Sequence, residues 1–90
     1  MPYQAIVTRY IGPTNVRGSR IVAKAAGGRI MLNWDDALNP ADNHNAAAKA
    51  LASKLDWRGE WHSGVMPDGS TAFVCSDIGG NPAFVAYGKE

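Results

Sequence analysis

Cysteine is nearly absent: Cys75 stands alone in 90 residues, which excludes an internal disulfide and any four-cysteine zinc site. No apolar run approaches the roughly 18 residues that a membrane-crossing helix needs. The N-terminus, MPYQAIVTRYIGPTN, lacks a basic stretch followed by an apolar run and a small-residue cleavage site. A cytoplasmic protein is therefore expected rather than a secreted or membrane one. There is no internal repeat, low-complexity tract or interdomain linker, so the chain reads as one domain over 1–90, with an ordered core at about 3–76 and a tail at 77–90. No GxGxxG, phosphate-loop, HExxH or GxSxG pattern occurs. Finally, the first 34 residues contain neither Asp nor Glu.

That last absence hides behind a net charge of +1. Residues 1–34 carry Arg9, Arg17, Arg20, Lys24 and Arg29 with no acid, a charge of +5. Residues 35–90 carry four basic residues against eight acidic ones, a charge of −4. Such a split either builds a basic face for a polyanion or lets the two halves neutralise each other through exposed ion pairs, each worth about 0–1 kcal/mol.

The hydrophobic pattern predicts strand-strand-strand-helix-strand-strand. Tyr3–Ile11 is rich in β-branched and aromatic residues, and Gly12–Gly18 has loop chemistry. Ser19–Ala25 and Arg29–Trp34 alternate in polarity around Gly27-Gly28, which suits a tight hairpin. A helix follows, with Asn39 as N-cap, Pro40 at its first position and Asp42 in its first turn. The run AAAKALA favours helix intrinsically, and Gly59 is the expected left-handed residue after an end near 56–58. Glu60–Met66 and Thr71–Ser76 flank the turn Pro67-Asp68-Gly69-Ser70. In the tail, Phe84–Tyr87 either adds a short edge strand or simply packs. The fold class is α+β: a two-layer sandwich of one helix on an antiparallel sheet of about five strands.

Alternation predicts a core of Ala5, Val7, Ile21, Ala23, Ile30, Leu32, Trp34, Trp61, Val65, Phe73 and Cys75. The helix stripe facing it is Ala41, His44, Ala48, Leu51, Ala52 and Leu55. The opposite sheet face then holds Ile6, Thr8, Tyr10, Arg20, Val22, Lys24, Arg29, Met31, His62 and Val74, unusually apolar for a face open to water. Ile6, Val22, Met31 and Val74 are candidate interface residues for a homodimer or another protein.

Catalysis has no constellation to support it. Cys75 occupies a core position, where a free cysteine acts as a small hydrophobe. His44 reads as a packing or capping residue, and two histidines with one cysteine, unspaced, make a poor zinc set. No catalytic residue, metal or cofactor is expected. The distinctive segment is RYIGPTNVRGSR, residues 9–20, whose polar loop and glycine amides suit phosphate oxygens. Tyr10, Asn15, Arg17, Ser19, Arg20, Lys24 and Arg29 are the candidates for binding nucleic acid or a phosphate backbone, with an aromatic among cations as in single-strand binders. The bland alternative is a solvated loop whose Thr14 and Asn15 satisfy only its own backbone.

RYIGPTNVRGSRIVA, followed by the alanine-rich helix and the PDGSTAFV hairpin, resembles a group of small bacterial proteins associated with phages, plasmids and other mobile elements. The likeness spans most of residues 3–76. It implies accessory or regulatory binding rather than metabolism, and carries over no established activity and no functional residue. Two functions from different classes stand: nucleic-acid binding through the basic hairpins, and protein–protein or homodimer contact through the half-apolar face.

Overall fold

The computed structural model describes residues 5–16, 18–76 and 82–87. Its elements are β1 (Ile6–Ile11), β2 (Arg20–Ala25), β3 (Gly28–Asn33), α1 (Pro40–Lys54), β4 (Arg58–Val65), β5 (Thr71–Cys75) and β6 (Phe84–Tyr87). The expected α+β class, with one helix on an antiparallel sheet, is what folds. The strand count and shape differ: six strands in the order β3-β2-β1-β5-β4-β6 form a curled sheet. The sixth is the tail segment, so the core does not stop at residue 76. Phe84 pairs with Trp61 across β4, and Ala83 N–H donates to the Trp61 carbonyl at 2.7 Å. Phe84 earns its place by stacking on Trp61 at 5.9 Å and meeting Phe73 at 5.7 Å.

The register corrects one expectation outright. Thr8 pairs with Ala23, Tyr10 with Ile21 and Ile6 with Phe73, so Ile6, Thr8 and Tyr10 share the helix side. Ile6 and Thr8 are completely buried. Val7 and Arg9 face outward instead, and Ala5 is exposed. Val65 also leaves the core, at the exposed end of β4. The rest of the expected core holds its side: Ile21, Ala23, Trp61 and Phe73 are fully or almost fully buried, and Ile30, Leu32, Trp34 and Cys75 pack around them.

The helix closes this layer through small residues. Ala47, Ala48, Leu51 and Ala52 are fully buried, whereas Ala41 of the expected stripe is exposed. Asn39 Oδ1 accepts from Asp42 N–H at 2.8 Å, the N-cap as expected. Buried Asn43 clamps the connection from β3: its Oδ1 accepts from Asp35 N–H at 2.9 Å and its Nδ2 donates to Asp35 O at 2.9 Å. At the other end, Asp56 N–H reaches Ser53 O and Trp57 N–H reaches Ala52 O, a Schellman closure. Its left-handed residue is Asp56, with φ 58°, not Gly59. Gly59 is needed elsewhere, inside β4, where φ is 117° and an added Cβ would lie 2.9 Å from Cys75 Sγ.

β3 is an edge strand. Trp34 N–H donates to Ser19 O, so alternation turns the peptide groups of Arg29, Met31 and Asn33 away from β2. Lys54, in the last turn of the helix, reaches around to that edge, with Nζ 3.2 Å from the Arg29 carbonyl. No described helix is long and apolar enough to cross a membrane.

Candidate nucleic-acid interface

Pairing fixes which basic side chains share the face opposite the helix. Lys24 lies directly across from Arg29, Arg9 across from Val22, and Val22 across from Met31. Arg20 stands at the other end of β2, opposite Ile11 and Asn33. Arg9, Arg20, Lys24 and Arg29 therefore form one array on β1–β3, set among Val7, Ile11, Val22 and Met31. Arg9, Lys24 and Arg29 are exposed. Arg20 is half-buried across Met31, with Nη1 3.7 Å from its sulfur, and its Nε has no hydrogen-bond partner among the described residues.

None of the four is in an ion pair among the described residues. The ion pair found there, Arg58 with Asp56 at 3.8 Å, is exposed and lies within the acidic half of the chain. No ion pair therefore joins the two halves among the described residues, although Asp68 stands near Arg9. Asp35, Asp36, Asp42 and Asp56 belong to the helix or the loops at its ends, and Glu60 and Asp68 belong to β4 and the β4–β5 turn, so the strands β1–β3 themselves carry cations and no acid.

The array borders an open hollow of about 540 Å³. Val7, Val22 and Ala25 supply apolar lining, while Arg9, Lys24 and Arg29 supply charge. Asp68 and Ser70, from the β4–β5 turn, complete the wall. Ser70 N–H and Oγ both donate to Asp68 Oδ1, at 3.0 and 2.6 Å. Those two bonds, with a smaller pull from Arg9, hold the Asp68 carboxyl below the usual carboxylate range. A second hollow, about 420 Å³, is lined by Tyr10, Ile11 and Gly12 and shares Arg9 and Val22 with the first. Together they make a furrow along β1 and β2 with Arg9 midway.

The candidates named from sequence divide. Arg20, Lys24 and Arg29 come together on the outer face. Tyr10 borders the second hollow beside Arg9, but its ring is on the helix side, edge-on to Trp34 at 4.8 Å, and its hydroxyl lies 2.9 Å from Ser19 Oγ. Tyr10 and Ser19 thereby tie the two ends of the β1–β2 loop together. Asn15 is exposed in that loop, and Thr14 Oγ1 accepts from Val16 N–H at 3.4 Å, a backbone role of the bland kind. Arg17 lies outside the described residues. Of the interface candidates, Val22, Met31 and Val74 face outward, but Ile6 is in the core because β1 has the opposite parity.

Arg9, Asp68 and Ser70 escaped the sequence reading. The signal for Arg9 was present, since an inward Val7 entails an inward, unpaired guanidinium two residues later, which is far costlier than burying Thr8. On the helix side, Thr8 Oγ1 lies 2.6 Å from His44 Nδ1 and 3.4 Å from Thr71 O. Burial lowers the His44 pKa from 6.5. Thr8 has no exposure at all, whereas His44 is half-buried and borders a small hollow of about 270 Å³ with Ser63 and Thr71. Among the described residues no cluster of His, Cys, Asp or Glu is placed to hold a metal ion. No protein-family model, curated protein or solved structure matches the chain, so the site stands on its own geometry.

Proposed function

We propose that the domain is a non-catalytic nucleic-acid-binding module that holds a phosphate backbone on the outer face of β1–β3 through Arg9, Arg20, Lys24 and Arg29. The observation that carries this reading is Lys24 opposite Arg29. Like charges facing each other across a strand pair destabilise a sheet, and among the described residues no carboxylate pairs with either. A bound phosphate removes that repulsion and gains two charge-assisted contacts. The alternative, a symmetric homodimer through Val22, Met31 and Val74, stacks each cationic array on its own copy. That arrangement buries like charges without partners, so the nucleic-acid reading is the better supported.

The test is fluorescence anisotropy with a labelled single-stranded oligonucleotide at varied salt. Four phosphate contacts give a log–log slope of about −3, or about fiftyfold weaker binding between roughly 50 and 200 mM salt. Replacing Arg20, Lys24 and Arg29 together with Ala should flatten the slope towards about −1 while circular dichroism shows the fold retained. Absence of binding at about 50 mM salt, where such contacts are strongest, overturns the proposal. A dimer seen by sedimentation that Met31→Lys dissociates would favour the alternative.

A further inference from the structure

Asp68 is out of place in a surface devoted to phosphate. It stands in the wall of the larger hollow with Arg9, Lys24 and Arg29, and a free carboxylate there repels the very anion those cations attract. It is also held in position. Gly69 takes φ 89° in the turn, and Ser70, only 4% exposed, fixes Oδ1 with two hydrogen bonds. A carboxylate has about four acceptor sites. Ser70 fills two of them, so lone pairs remain for a donor in the hollow.

A hollow with three cations, one oriented carboxylate and an apolar floor fits a ligand that carries a phosphate, a flat apolar body and an N–H donor together. A nucleotide has all three. Base-paired strands keep their bases stacked inside the duplex and turn none out without the cost of unstacking and unpairing it. A single strand is free to turn a base into the furrow. The apolar floor of Val7, Val22 and Ala25 then receives the base, in place of the aromatic platform found in many single-strand binders.

Resting on the nucleic-acid reading, we propose that the hollow selects a base with an exocyclic amino group, Asp68 accepting from that group while Lys24 and Arg29 hold the adjoining phosphate. Cytosine offers an amino group at position 4; thymine offers a carbonyl oxygen at the same position, which the carboxylate repels. Asp68 is a specificity-determining residue on this account, and the cations set affinity.

Two all-pyrimidine oligonucleotides of about 12 nucleotides, one of deoxycytidine and one of deoxythymidine, isolate this difference. Competition anisotropy at low salt should show the wild-type protein preferring the cytidine strand by about tenfold, the size of one good base contact. Asp68→Asn, which can donate as well as accept, should bring the two strands within about twofold. It should bind the thymidine strand at least as tightly as the wild type does, because it removes a negative charge. Asp68→Ala, in the same exposed turn, should also abolish the preference and guards against an effect peculiar to the amide. Equal wild-type affinity for both strands overturns the inference and leaves the backbone-binding reading standing. A preference that survives both variants overturns the assignment to Asp68. Failure of both strands to bind wild-type protein overturns the underlying reading as well.

Discussion

Thr8 and His44, 36 residues apart, meet at 2.6 Å between Oγ1 and Nδ1, joining the central strand pair of the sheet to the first half of the helix. The contact answers a need created by strand parity. Turning Thr8 inward keeps Arg9 in water, but it buries a hydroxyl that must find a partner. His44 supplies one and also stands edge-on to Trp34 at 6.2 Å.

Replacing Thr8 with Val keeps its shape and removes the hydroxyl. Urea unfolding should show a loss of about 1–2 kcal/mol, since the His44 nitrogen is then left without its partner. In a double-mutant cycle with His44→Phe, the second substitution should cost less in the Thr8→Val background than alone, with coupling on the order of 1 kcal/mol. Additive costs would show that the two side chains do not interact.

The same histidine sets the acid response. Burial places its folded pKa below 6.5, so as pH falls the unfolded chain takes up the proton first. Its contribution to stability is complete above the unfolded value and declines as pH drops below about 6.5 towards the folded value. The urea midpoint of the wild-type protein should therefore fall between pH 7.5 and 5.5. His44→Gln should fall less over that interval; an equal decline in both would assign the effect elsewhere.

Lys24 and Arg29 should separate stability from binding. Lys24→Thr relieves the cross-strand repulsion and adds a strand-favouring residue, raising stability by about 0.2–1 kcal/mol. Its affinity for single-stranded nucleic acid should drop, and the salt slope should shrink by about 0.7. Thermal melts and anisotropy on one preparation measure both. A variant that loses stability and binding together would point to a purely structural role.

Gly59 should tolerate nothing larger. Gly59→Ala meets Cys75 Sγ at 2.9 Å and a φ of 117°, and the expected cost is about 1–3 kcal/mol. Adding Cys75→Ala should recover part of that cost by removing the sulfur, and the remainder is the backbone's. If the double variant is no more stable than the single one, the steric account fails.

Legibility from sequence followed the strength of local signals. Alternation in Arg20–Ala25 and Gly28–Asn33 is unambiguous, because one parity carries the charges; both strands read correctly. β1 offers Ile6 and Val7 side by side, so apolar content alone does not choose a face. The choice rests on where Arg9 and Tyr10 go. Tyr10 was sent to the basic face as an aromatic among cations, yet its hydroxyl has a local partner in Ser19 and its ring a partner in Trp34. Phe84–Tyr87 is only four residues long, so its residue types suit a short strand or simple packing alike, and the long-range pairing of Phe84 with Trp61 decides for the strand. Asp56 displaced Gly59 at the helix end for a related reason: Gly59 is required beside Cys75, a neighbour supplied by tertiary pairing. The site was only partly visible. Arg20, Lys24 and Arg29 follow from alternation, and Arg9 follows from the cost of turning its guanidinium inward, whereas the Asp68 turn comes beside them only through the long-range pairing of β1 with β5.

The bond from Lys54 to the Arg29 carbonyl bears on how copies of this protein coexist. An open outer strand is a template on which another chain can lay its own backbone. Here an ammonium group already occupies one of the acceptors such a newcomer would need, and Arg29 on the same strand carries a second positive charge. Growth of the sheet from molecule to molecule along β3 has to bring a new strand in beside that lysine and its charge, which disfavours such pairing, and the residue responsible has its own place in the helix.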